Sequence, residues 1–184
     1  MAYGWEGEKV RLIPLDPERH FDFAMRLVND PDVTQWLKIG DFPISTLAER
    51  EWMEKRSRGM ENDIMFAIET LDGKVIGFSG LHKIEWRNGV ATTGTAIGDK
   101  SQWGKGYGSD AARVRSRYAF EVLGLRMLLS SWLEGNEASK RMLLGVGYEL
   151  YGTAKKRLWK RGEFRDLNLC CLTREAWLAK QKPG

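Results

Sequence analysis

The sequence predicts a mixed α/β fold: a central, mostly antiparallel sheet with helices packed on both faces. Three observations carry this. Runs with apolar alternation, typical of strands, are interrupted by segments of helical period. Asp72-Gly73 joins two strand-like runs in the manner of a hairpin turn. A glycine-rich loop lies between a strand and a helix. The chain has 184 residues, 42% hydrophobic and 29% charged, which suits one globular domain spanning 1–184.

The elements follow in order. Val10–Leu15 alternates and ends at Asp16-Pro17, predicting a first strand. A helix follows from Pro17 to Val28, with Phe21, Ala24, Met25 and Val28 on one face. Asn29-Asp30-Pro31 stops it. A short helical piece is expected over Asp32–Ile39, around Trp36. Thr46 and Glu49 have capping-box spacing, so Thr46 is read as the cap of a helix running to Arg58. Strands are expected over Ile64–Thr70 and Val75–Ile84. After a turn at Arg87-Asn88-Gly89 a third strand runs from Val90 to Ile97. Beyond the glycine-rich loop come a long helix to Leu123, a strand over Met127–Leu133, and a short helix over Asn136–Leu144. A last hairpin, Tyr148–Trp159 and Phe164–Thr173, turns at Arg161-Gly162. Arg174–Lys182 reads as a short amphipathic helix, available for a homodimer contact.

Composition narrows the function. The net charge is +4, from 29 basic and 25 acidic residues that are interspersed. No run of five like charges occurs, which argues against nucleic-acid binding and for a local cationic patch facing a polyanionic small molecule. Cys170 and Cys171 are adjacent in a strand-like run and point to opposite faces, so no ordinary disulfide joins them. No Cys/His spacing suits a metal. No apolar stretch reaches membrane-spanning length and Met1–Glu6 has no signal core, so a cytoplasmic protein is expected.

The segment that carries chemistry is Ile97-Gly98-Asp99-Lys100-Ser101-Gln102-Trp103-Gly104-Lys105-Gly106-Tyr107-Gly108-Ser109. Glycines let the backbone turn sharply and let a ligand approach. Loop amides and the new helix's positive end then converge on one space, suited to a pyrophosphate. A plain glycine turn with a helix cap is the alternative. The P-loop lysine is missing, and the glycine spacing is not that of the dinucleotide fingerprint.

Trp103-Gly104-Lys105-Gly106-Tyr107-Gly108-Ser109, after Ile97-Gly98 and before Asp110-Ala111-Ala112, resembles motif A of the GNAT superfamily of N-acetyltransferases. Trp103 stands where the motif usually has Arg or Gln. Asn136-Glu137-Ala138-Ser139 with Gly147-Tyr148, Gly162–Asp166, Gly7–Leu12 and Val75-Ile76-Gly77 extend the resemblance along nearly the whole chain. It is similar above all to the ribosomal-protein N-terminal acetyltransferase (RimJ/RimL-like) branch and to spermidine acetyltransferases.

The resemblance implies the GNAT acyl-CoA N-acyltransferase fold and acetyl-CoA as cofactor. It implies transfer of the acetyl group to a primary amine, on a protein N-terminus or a small amine or polyamine, by direct attack on the thioester. It places the pyrophosphate on Gly104, Lys105, Gly106, Tyr107, Gly108 and Ser109, beside Trp103. The pantetheine arm would pair with Ala96, Ile97 and Gly98 as an added strand. Asn136 would hold the arm; capping a helix is its other reading. The family's usual proton-donating tyrosine position is Leu143 here, which donates nothing, and Ser139 is the substitute near the sulfur. A surface hydroxyl is its other reading.

The attacking amine must lose a proton. Glu85, Asp99, Glu134 and Glu163 are the carboxylates near the expected cleft, and Glu85 is the candidate base. The base position of the ribosomal branch is Leu158. His82 lies on a strand and titrates near neutrality, with a structural role as its other reading. Arg113, Arg117, Lys140 and Arg141 either reach phosphates or form a solvated basic face. Trp36, Trp52 and Trp86 are candidates for lining an acceptor pocket. A CoA-binding sensor or partner protein without turnover is the alternative that Leu143 leaves open.

Overall fold

The computed structural model describes residues 5–38, 41–59 and 61–181. Ile39 and Lys182, the ends of two expected helical segments, lie outside the described residues, as do Met1–Gly4. Seven strands form one sheet: β1 (Val10–Pro14), β2 (Ile64–Thr70), β3 (Val75–Glu85), β4 (Val90–Ile97), β5 (Met127–Leu133), β6 (Glu149–Lys160) and β7 (Glu163–Thr173). Their order is β1-β2-β3-β4-β5-β7-β6. Every pairing is antiparallel except β4 with β5. The helices are α1 (Pro17–Val28), α2 (Pro31–Thr34), α3 (Thr46–Ser57), α4 (Tyr107–Arg117), α5 (Glu137–Val146) and α6 (Arg174–Gln181).

The hairpins form where glycine supplies positive φ. Gly73 (φ 90°) turns β2 into β3, and Gly89 (φ 63°) turns β3 into β4. Two helical layers cover the sheet. On one face α1 and α3 bury Ala24 and Met53 against Leu15, Met65 and Phe78. On the other, α4 buries Ala111 and Val114 against Leu12, Phe66 and Ile68. The largest cluster continues along α4 and α5 to Trp177 of α6, joining Phe120, Leu128, Leu143 and Tyr148.

Three local expectations are corrected. The cap of α3 is Ser45, whose hydroxyl accepts the Ala48 N–H at 3.2 Å. Thr46 is already helical. Glu49 is buried on the helix face toward the core and so does not curl back to cap. The helical piece near Trp36 is α2, which lies ahead of the tryptophan. The long helix is α-helical only to Arg117 and passes into a π-turn over Tyr118–Val122.

One feature of the sheet governs the site. β4 pairs β5 only over Val90, Ala91 and Thr92, opposite Met127, Leu128 and Leu129. Beyond this β4 stays with β3 as far as Gly77↔Ile97, while β5 stays with β7 as far as Leu133↔Leu167. The two central strands therefore diverge, and from Thr93 to Ile97 this edge of β4 has no strand partner among the described residues. Side chains tie the crotch of this fork. The Thr93 hydroxyl donates to the Leu129 carbonyl at 3.2 Å and meets the buried Tyr148 hydroxyl at 3.2 Å.

Candidate active site

The glycine-rich loop joins the open end of β4 to the N-terminus of α4. Gly106 is the N-cap residue at φ 86°, a conformation costly for any residue with a Cβ. Among the described residues no side chain caps this helix, so its first amides are open to a ligand. Three of the fold's features hold the loop. The Asp110 carboxylate, in the first turn of α4, accepts the backbone N–H groups of Glu8, Lys9 and Val10 at 3.3, 2.8 and 3.1 Å. Its charge also suits the helix's positive end. The Lys9 ammonium donates to the Lys105 carbonyl at 2.8 Å. The Trp103 indole N–H donates to the Ile97 carbonyl at 2.8 Å, so the residue at the unusual motif position bridges loop and strand.

Ala96, Ile97 and Gly98 at the open end of β4 are thus joined, through the Trp103 indole, to the loop of Gly104, Lys105, Gly106, Tyr107, Gly108 and Ser109. Lys9 joins them. It was not legible as a site residue, because it lies 96 positions from its loop partner. Asn136 is the N-cap of α5, its Oδ1 accepting the Ser139 N–H at 3.0 Å. Its amide nitrogen is left over for another acceptor. Ser139 is half-buried on the first turn of α5. Gly108 packs towards α5 as well: a Cβ there would lie 3.2 Å from Met142 Sδ.

The expected carboxylates stand apart from one another and are each engaged. Glu85 is exposed at the far end of β3, where Oε2 accepts from the Asn88 amide at 2.7 Å within the hairpin turn. Asp99 pairs with Lys74 at 2.6 Å. That lysine, with Ser101, holds its pKa down at about 2, so it takes up no proton near neutrality. Glu134 accepts the Asp166 N–H, and Glu163 pairs with Arg165 at 2.8 Å. Of the basic residues, Arg117 donates to the Glu6 carbonyl and Lys140 pairs with Glu137, while Arg113 and Arg141 are exposed. Trp52 lies under Arg56, Trp36 under Arg165, and the Trp86 indole donates to the Glu61 carbonyl.

His82 has a setting that the sequence did not signal. Its Nδ1 lies 2.8 Å from Asp63 Oδ1, which in turn lies 2.7 Å from an Arg56 guanidinium nitrogen. Beneath β4, Arg115 is 1% exposed and donates to the Ser79 hydroxyl, the Gly94 carbonyl and the Thr95 hydroxyl. Burial pushes the His82 pKa below 6.5; Asp63 pulls it up, and Arg56 and Arg115 push it further down. Cys170 and Cys171 are free thiols, and burial pushes Cys170 up to about 12, which leaves it inert at neutral pH. No described helix is long and apolar enough to cross a membrane.

Residues 9–149 match the family described as the acetyltransferase (GNAT) domain. FsC-acetyl coenzyme A-N(2)-transacetylase of Aspergillus fumigatus is 27% identical, over 96% of this chain and 78% of that protein. YdaF of Bacillus subtilis, named as a ribosomal N-acetyltransferase, is 28% identical over 91% of this chain and 92% of that protein. Among solved structures, the spermidine N-acetyltransferase of Vibrio cholerae in complex with CoA and spermine has TM-score 0.82. It is 17% identical and covers 92% of this chain and 98% of that one, a likeness of fold. With a family match across most of its length and the forked β4–β5 pair leading into a glycine loop, this chain belongs to the GNAT family of N-acetyltransferases.

Proposed function

We propose that the protein takes acetyl-CoA as donor and acetylates a primary amine, on a protein N-terminus or a small amine, in the cytoplasm. The observation that carries this reading is the uncapped N-terminus of α4 at the end of the partnerless edge of β4. Loop amides and the helix dipole favour an anion. A free strand edge favours an extended chain with amide groups. A pyrophosphate joined to an amide-bearing arm carries both, in that order.

The residues fit the group. Gly104 to Ser109 would receive the pyrophosphate, with the Lys9 ammonium about 3.4 Å from where a Gly106 side chain would begin. The arm would run back along Gly98, Ile97 and Ala96, exchanging with the Trp103 indole for the Ile97 carbonyl. The Asn136 amide nitrogen would donate to it, and Ser139 is the proposed proton donor to the leaving sulfur. The cofactor supplies an activated acetyl thioester; the chain supplies anion binding, alignment and proton transfer. The names of the two sequence relatives support acetyl transfer, one from a coenzyme A thioester and one to a ribosomal acceptor.

Titration calorimetry with acetyl-CoA tests this directly. Wild type is expected to bind in the micromolar range. Gly106→Trp, which puts a bulky side chain at positive φ in the loop, is expected to abolish binding while circular dichroism stays unchanged. Thiol release with a panel of N-terminal peptides and polyamines then identifies the acceptor. A folded wild type that binds no acetyl-CoA overturns the reading.

A further inference from the structure

We infer that His82 is the catalytic base, its Nε2 taking the proton from the attacking amine while Asp63 and Arg56 hold the ring in place. The inference rests on the acetyl-CoA reading of the cleft and deepens it.

The position of the ring comes first. Gly80 on β3 and Gly94 on β4 are register partners, so the sheet has a bare patch two side chains wide. The His82 ring lies over it. A Cβ on Gly80 would sit 2.6 Å from Nε2, and one on Gly94 would sit 3.6 Å from it. Gly94 is two residues past Thr92, where β4 loses β5 as its partner. The phosphate loop lies at the opposite end of the partnerless edge. An arm anchored there and running back from Gly98 reaches Gly94 after about 13 Å of strand. The reactive end of such an arm therefore arrives beside Nε2. Arg115 grips the Gly94 carbonyl from the other face, fixing this stretch of β4.

The chemistry of the ring fits the position. Asp63 offers Nδ1 only acceptor atoms, so the neutral ring carries its proton on Nδ1 and presents a lone pair at Nε2. No described residue hydrogen-bonds Nε2, and the side chain is 30% exposed, so a substrate can reach it. The charged groups facing the ring are Asp63 and Arg56 on α3, with Arg115 acting from the opposite face of the sheet; burial first, and then the two cations, hold its pKa below 6.5 and the ring neutral at pH 7. The four carboxylates expected near the cleft stand apart and are, by contrast, each already engaged. In the step itself, the amine nitrogen forms a bond to the thioester carbonyl carbon. The carbon–sulfur bond breaks with its electron pair on sulfur, the nitrogen's surplus proton passes to Nε2, and the thiolate takes a proton through the Ser139 hydroxyl, which recovers one from solvent. Nε2 then releases its proton to solvent, which restores the ring.

The chain has two histidines, so ¹⁵N-histidine labelling gives two ring systems to follow. Expected are an Nδ1–H tautomer for His82 at pH 8 and a shift of its Nε2 resonance on adding acetyl-CoA, with His20 unmoved. His82→Gln is expected to keep wild-type acetyl-CoA affinity by calorimetry. With the fastest amine of the panel it loses about 10²- to 10⁴-fold in kcat, together with the acid limb of the pH profile. Asp63→Asn is expected to shift the tautomer and to lower kcat less. An Nε2–H tautomer, a His82 signal indifferent to acetyl-CoA, or a His82→Gln enzyme with wild-type kcat each overturns the assignment. Failure of wild type to bind acetyl-CoA instead overturns the reading of the cleft.

Discussion

His20 is fully buried on α1, its Nδ1 accepting the Asp16 N–H at 2.9 Å and its Nε2 without a partner among the described residues. Burial pushes its pKa down from 6.5, with Arg19 adding to the effect. The unfolded chain binds a proton near pH 6.5 and the folded chain does not. Folding stability is therefore complete above about pH 6.5 and falls as the pH drops below it, towards the lowered folded value. His82 contributes with the same sign. Thermal melts across this window should show the loss, and His20→Asn, which keeps an acceptor near Asp16, should flatten it. A His20→Asn protein with an unchanged pH slope would remove His20 from the account. At this scale the sequence was legible where chemistry is local. The loop glycines, and Asn136 with Ser139, stand within a few positions of one another and could be read as candidates for that reason. His82 has no such neighbours: Asp63 lies 19 positions away and Arg56 on another element. A single histidine in an apolar strand carries no mark of the partners that folding will bring.

Among elements, α3 shows how two adjacent hydroxyls compete for one cap. Ser45 and Thr46 both precede a helical run, and Thr46 has the better spacing to a glutamate. Tertiary burial decides: Glu49 is 5% exposed, and burial pushes its pKa up, so its carboxyl serves the core face and not the helix end. Ser45→Ala is therefore expected to cost about 1 kcal/mol in urea unfolding, and Thr46→Val well under half of that. The reverse order would restore the capping box. The boundaries of α1, β2, β4 and β5 were readable to the residue, since Pro, Gly and a change of period punctuate them. The π-turn after α4 was not. It inserts one residue per turn without changing which types are apolar; within it Phe120 packs against Trp177.

For the whole molecule, a mixed, mostly antiparallel sheet with two helical layers was legible from the order of elements, and hairpins are local events. The fork was expected only through the family resemblance, which opens this edge by splayed strands; the residues do not announce where the parallel pairing stops, and both Thr93 and Ser130 look like ordinary strand residues. The Asp110 clamp is of the same kind, and it bears on how the protein acquires its site in time. Its three hydrogen bonds close a loop of 100 to 102 residues. Closing so long a stretch carries an entropic cost that shorter hairpins avoid, and it comes late in a search ordered by sequence separation. The proposed anion cradle would thus be among the last parts to become competent, after most backbone structure has formed. In refolding from urea, far-UV dichroism should recover ahead of acetyl-CoA binding, followed by ligand-induced fluorescence; recovery of both at one rate would place the clamp early instead. A newly made chain would then carry a nearly complete fold for an interval in which it holds no cofactor.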